Sequence, residues 1–100
     1  KSEQSCVLLI LKGQKLRRSG DFEGAIKIFK ELYDNNYPCK ERALWLIAWT
    51  EYLKKDFISA SHHFQKLYKN YQKDKYLYWF AKSEEKLGKK TFNGMYSIYR

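Results

Sequence analysis

Apolar positions along this chain fall three and four residues apart, and no segment alternates with a period of two. That spacing predicts helices and no sheet. A first helix is expected over about Ser5–Arg18, with Leu9, Ile10, Gly13 and Leu16 on one face. Ser19-Gly20 ends it, because glycine suits the left-handed residue after a helix. Asp21 can cap a second helix through its side-chain oxygen. Phe22, Ala25, Ile26, Phe29, Leu32 and Tyr33 form its stripe, and Asn35-Asn36 closes it. Pro38 fits the first turn of a third helix, where its missing N–H costs little; this helix carries Leu44, Trp45, Ala48, Trp49 and Tyr52. Asp56 caps a fourth helix that closes at Asn70, and Asp74 caps a fifth carrying Tyr78, Trp79, Ala81, Ser83 and Leu87. Thr91 begins a sixth, with Phe92, Met95 and Tyr99.

The pattern also repeats. Asp21, Phe22, Ala25, Phe29, Leu32, Tyr33 and Asn35 recur 35 positions later as Asp56, Phe57, Ala60, Phe64, Leu67, Tyr68 and Asn70. The caps then read Asp21, Asp56, Thr91. A period of this length marks stacked helical hairpins, each burying its face on the next. Helices that cross closely need small residues, and Gly13, Ala48 and Ser83 stand 35 apart, facing Ala25 and Ala60. The fold expected is an all-α solenoid of three antiparallel hairpins, over about 5–36, 38–71 and 74–100, in one domain. The small-facing-small crossing resembles the tetratricopeptide repeat, as do the large rings at Phe29, Phe64 and Tyr99.

The chain starts at Lys1 and stops within an apolar pattern at Tyr99-Arg100, which we read as a segment of a longer protein. Its longest apolar run, Cys6 to Leu11, falls far short of the roughly 20 residues a membrane span needs. Net charge is +9, which favours anionic partners. Sixteen of the 20 basic residues are lysine, and phosphate readers lean on arginine forks, so specific nucleic-acid recognition is disfavoured. Cys6 and Cys39 are read as two buried or inert thiols, with a disulfide as the alternative, and they do not fix the redox compartment. Equivalent helices of neighbouring hairpins pack about 8–10 Å apart, against the roughly 4.4–6.8 Å between Cα atoms that a bridge needs.

Trp45, Trp49 and Tyr52 lie at i, i+4 and i+7, on one helix face. First helices line the concave side of a hairpin solenoid. These rings are therefore candidate groove contacts, with Tyr76 and Phe80 as the corresponding pair one hairpin on. The alternative is that all five fill space between hairpins. Arg17-Arg18, Lys54-Lys55 and Lys89-Lys90 recur at equivalent turns and would gather charge along one edge. Glu84-Glu85 read as a solvated stretch or as partners of nearby lysines. His62-His63 point about 100° apart on a helix and cannot make the i, i+4 metal pair. No cofactor, metal or catalytic constellation is predicted.

A further resemblance rests on two runs. Trp45, Trp49, Tyr52, Phe57, Ala60, Phe64, Leu67 and Tyr71 form the first. Tyr78-Trp79-Phe80-Ala81-Lys82 with Glu85-Lys86-Leu87-Gly88 and Tyr96 form the second. From about Glu41 to Tyr99 the chain resembles the superhelical domain of soluble lytic transglycosylases, with its Tyr-Trp-x-Ala-Arg helix and Lys-Leu-Gly turn; Lys82 stands where that family has Arg. The resemblance implies a periplasmic or cell-envelope protein whose repeats position peptidoglycan glycan strands beside a lysozyme-like domain. That domain cleaves the glycan to 1,6-anhydro ends. Its hallmark Glu-Ser pair is absent here, so the resemblance carries over a scaffold role and no catalytic residue. The other reading is a tetratricopeptide-like adaptor that holds a protein or peptide in its concave groove.

Overall fold

A computed structural model describes residues 2–88. They form five helices and no strand: α1 (Glu3–Arg18), α2 (Phe22–Asp34), α3 (Lys40–Leu53), α4 (Phe57–Tyr71) and α5 (Asp74–Lys86). Each helix packs on the next in chain order. The expected sixth helix, with Thr91, Phe92, Met95 and Tyr99, lies outside the described residues.

Local chemistry explains most boundaries. Ser2 accepts a hydrogen bond from the Ser5 N–H at 3.1 Å, so α1 starts at Glu3, a little earlier than expected. Asp21 Oδ1 accepts from Gly24 N–H at 2.9 Å, and Asp56 Oδ1 accepts from Ser59 N–H at 3.2 Å. Each satisfies one of the free donors at a helix start. The turns that lead into these caps share one geometry. Gly20 N–H donates to Arg17 O and Asp21 N–H to Leu16 O, at 3.0 and 2.9 Å. Thirty-five residues later Lys55 N–H donates to Tyr52 O and Asp56 N–H to Glu51 O, at the same two distances. This is the Schellman arrangement, which ends a helix on a left-handed residue. Gly20 takes that conformation at φ 92° and Lys55 at φ 69°. Glycine adopts it freely; a lysine does so against the contact between its Cβ and the next carbonyl.

Other boundaries also differ from the sequence pattern. Pro38 lies ahead of α3, which begins at Lys40 with Cys39 as its N-cap residue. The Cys39 side chain is engaged elsewhere, in a disulfide, and makes no capping hydrogen bond. α4 runs past Asn70 to Tyr71, and the left-handed residue is Gln72, φ 54°. α5 starts one residue earlier than an Asp74 cap implies: Lys73 is the N-cap residue and makes no side-chain bond. Asp74 sits inside the first turn, where its charge favours the positive end of the helix dipole. Finally, α5 ends at Lys86 and turns at Gly88, φ 74°, two positions before the place the 35-residue period assigns to that glycine's equivalent.

Two buried clusters hold the helices together. Cys6, Ile10, Ala25, Phe29, Leu32, Tyr37, Ala43, Leu46 and Ile47 join α1, α2 and α3. Leu44, Ala48, Ala60, Phe64, Leu67, Tyr76, Leu77 and Phe80 join α3, α4 and α5. Phe29 and Phe64 are fully buried at the centres, 35 residues apart. Gly13 shows why small residues are needed: a Cβ there would stand 2.7 Å from Phe29 Cζ and 3.1 Å from Cδ1.

The cysteines are bridged, Cys6 to Cys39, with Cα atoms 6.3 Å apart. The expectation of separate thiols fails because it placed both on helix axes. Cys39 precedes α3, in the segment that returns toward α1, and so comes closer than two helix axes can.

Candidate ligand-binding face

The α3 sequence places Trp45, Trp49 and Tyr52 on one face, and the structure keeps their rings nearly parallel. Trp45 and Trp49 lie 5.8 Å apart between centroids with planes 8° apart; Trp49 and Tyr52 lie 5.9 Å apart at 4°. All three rings are half-buried. Trp79 of α5 meets Trp49 and Tyr52 edge-on, at 5.1 and 5.3 Å. Phe57 does the same to Tyr52 at 5.1 Å, while Phe64 lies against Trp45 at 5.6 Å. The T-shaped contacts of Trp79 and Phe57 are a favoured arrangement of aromatic pairs.

One lysine of α5, Lys75, borders the ladder. Lys75 Nζ lies 5.6 Å from the Trp45 centroid and 5.3 Å from that of Tyr76. Lys82 Nζ lies 5.8 Å from the Tyr78 centroid and 3.5 Å from Glu85 Oε1. Burial holds the Tyr52 phenol above its ordinary range, and the Lys82 charge pulls the other way. Glu85 and then Tyr78 raise the Lys82 ammonium.

Tyr76 and Phe80, the other candidate contacts, sit in the second buried cluster at 2% and 8% exposure. Their ring faces belong to the core. Only the polar end of Tyr76 reaches outward, where its hydroxyl donates to Glu41 Oε2 at 2.6 Å. Lys73 Nζ donates to the same oxygen at 2.6 Å. The lysine bond, then the tyrosine bond, holds the Glu41 carboxyl below its usual range. Burial, then Glu41, pushes the Tyr76 phenol strongly up.

At the charged edge, Lys54 pairs with Glu23 of α2, which raises the Lys54 ammonium. This contact brings the α1–α2 and α3–α4 turns to the same end of the molecule and offsets one of the edge charges. Lys55 and Arg18 are exposed and Arg17 is half-buried. Lys89 and Lys90 lie outside the described residues.

Sequence reasoning did not count Trp79, Lys75 or Lys82 among the candidate contacts. The signal was present: Lys75 and Lys82 stand seven apart, and so do Trp45 and Tyr52. It also misjudged one carboxylate, Glu84. Glu84 is buried, not solvated, and accepts from Ser61 Oγ at 2.6 Å. Glu51 is buried with Oε1 2.7 Å from His63 Nδ1. His63 is thus packed and His62 exposed. Ser61 and Glu84 tie α4 to α5; Glu51 and His63 tie α3 to α4. Glu85 remains exposed beside Lys82.

A shallow depression on α4, lined by His62, Gln65, Lys66, Lys69 and Asn70, takes in no ring of the ladder. Among the described residues no three His, Cys, Asp or Glu side chains gather as a metal site requires, and no helix is long and apolar enough to cross a membrane.

No family model, curated protein or solved structure matches the chain. The likeness to lytic transglycosylase repeats therefore stands on its quoted residues alone.

Proposed function

We propose that this chain is a non-catalytic helical-repeat scaffold of the cell envelope, a short α-solenoid that holds a peptidoglycan glycan strand along α3 and α5. In the parent protein it would shape the approach of that strand to an adjoining lysozyme-like domain. One observation carries the reading: the half-buried, nearly parallel Trp45–Trp49–Tyr52 ladder, with Lys75 of α5 over its Trp45 end. Flat ring faces suit sugar rings. The recurring Schellman turns support the solenoid. The Cys6–Cys39 bridge supports an oxidising compartment, since disulfides persist there and are rare in the cytosol.

The test is a titration of the chain with soluble disaccharide-peptide fragments of peptidoglycan, followed by tryptophan fluorescence. A saturable change is expected, and Trp49→Ala should weaken it about tenfold, the usual scale for losing a central aromatic contact. No saturable change at millimolar fragment would refute the reading. An equal affinity for Trp49→Ala would move the site off the ladder.

A further inference from the structure

Three lysines of α5 differ in what holds them. Lys73 Nζ donates to Glu41 Oε2 at 2.6 Å, an oxygen that also accepts from the Tyr76 hydroxyl. Lys82 Nζ lies 3.5 Å from Glu85 Oε1. Lys75 is exposed, and among the described residues no carboxylate forms an ion pair with it. Rings hold it instead: its Nζ lies 5.6 Å from the Trp45 centroid and 5.3 Å from that of Tyr76.

This difference decides which charge a ligand can use. A lysine already paired with a carboxylate offers an incoming anion little. An aromatic ring attracts a cation through its quadrupole and carries no net charge, so Lys75 keeps its positive charge for a ligand. Tyr76, the ring beside it, is 2% exposed and tied at its hydroxyl to Glu41, which keeps that ring in place. The Tyr52 end of the ladder is built differently. Phe57 and Trp79 close on Tyr52 edge-on, at 5.1 and 5.3 Å. The charges nearest its phenol, Lys82 and Glu85, are paired and act on it with opposite sign. The ladder therefore has a charged end at Trp45 and a neutral end at Tyr52.

From this asymmetry we infer that the ladder selects acidic over neutral saccharides and takes them in one direction. A carboxylate of the ligand meets Lys75 at the Trp45 end, and the uncharged part lies along Trp49 and Tyr52. The inference rests on the glycan reading of the ladder and adds to it a charge requirement and a polarity. Lys75 is the residue that sets both.

The probes are a disaccharide-peptide fragment of peptidoglycan with free carboxylates and the same fragment with its carboxylates amidated. Each is titrated into the chain by calorimetry at low salt. The free acid should bind about threefold to fivefold tighter, the usual size of one partly exposed charge pair. Salt at about 0.5 M should bring that ratio toward one, because screening acts on the charge and not on the ring contacts. Lys75→Gln removes the charge and keeps a polar side chain; it should abolish the ratio and leave the affinity for the amide unchanged. Lys27→Gln, at an exposed lysine of α2, makes the same change in net charge and should leave the ratio intact. A nitroxide on the sugar end of the free acid should broaden the ring signals of Tyr52 and Trp79 more than those of Trp45. Equal affinities for the two fragments overturn the inference while saccharide binding stands. So does a ratio that Lys75→Gln leaves intact, or one that Lys27→Gln abolishes as fully. Broadening centred on Trp45 overturns the assigned direction. Binding of neither fragment overturns the glycan reading, and this inference with it.

Discussion

Opening the Cys6–Cys39 bridge should cost this chain a large part of its stability. The bridge joins residues 33 apart and spans α1, α2 and the approach to α3. Closing a loop of that length removes about 12.5 cal/mol/K of chain entropy from the unfolded state, or about 3.7 kcal/mol at 25 °C. Domains of this size are held by only about 5–15 kcal/mol in all. The measurement is urea unfolding at pH 7, followed by far-ultraviolet circular dichroism, for the oxidised chain and for Cys6→Ala with Cys39→Ala. With a urea dependence of about 1.5 kcal/mol/M, the midpoint should fall by about 2.5 M. A second measurement separates the bond from the packing of its sulfurs. Iodoacetamide added in denaturant without reductant should leave the mass of the natural chain unchanged. Two alkylated thiols, or a midpoint shift below about 0.5 M, would refute the reasoning.

Other expectations follow from single positions. Gly13→Ala pushes a methyl group into the Phe29 ring and should lower stability by about 1–3 kcal/mol, read as a fall in melting temperature. Lys55→Gly relieves a left-handed lysine and should raise stability by about 1 kcal/mol in the same assay. Glu41 supplies a pH test. Its folded carboxyl is held low by Lys73 and then Tyr76, so its stabilisation is present above the ordinary glutamate range, about 4.3, and is lost as pH falls through the folded value. The wild type should exceed Glu41→Gln in stability at pH 7, and the gap should narrow as pH falls below the ordinary glutamate range. A gap that does not narrow as pH falls below the ordinary glutamate range would assign the effect to shape and not to charge.

Much of the fold could be read locally. Asp21 and Asp56 announce helix starts because a carboxylate three residues before a free N–H can satisfy it with no help from the rest of the chain. Gly20 announces a helix end for a similarly local reason. Phe29 and Phe64 lie on apolar stripes of helical period, and each stripe could reach water or a neighbour only as a unit. Lys55 and Gln72 were not legible as left-handed residues, because their side chains do not favour that conformation. The turn imposes it on Lys55 through the bonds of Lys55 and Asp56 to Tyr52 and Glu51.

The candidate face divides in the same way. Spacing alone put Trp45, Trp49 and Tyr52 on one side of α3, since i, i+4 and i+7 align on any α-helix. It could not tell that Tyr76 and Phe80 turn into the core, or that Trp79 and Lys75 come to border the ladder. Those facts depend on how α5 is rotated against α4. The same holds for Glu84, which finds Ser61 across an interface, and for Cys39, which meets Cys6 because a short connection returns it to α1. The sequence by itself determined helices, caps and the face each helix buries, because these depend on neighbours within one turn. Which faces meet, which charges are buried and which cysteines join were decided only by tertiary structure, because helix rotation and separation are set by partners tens of residues away.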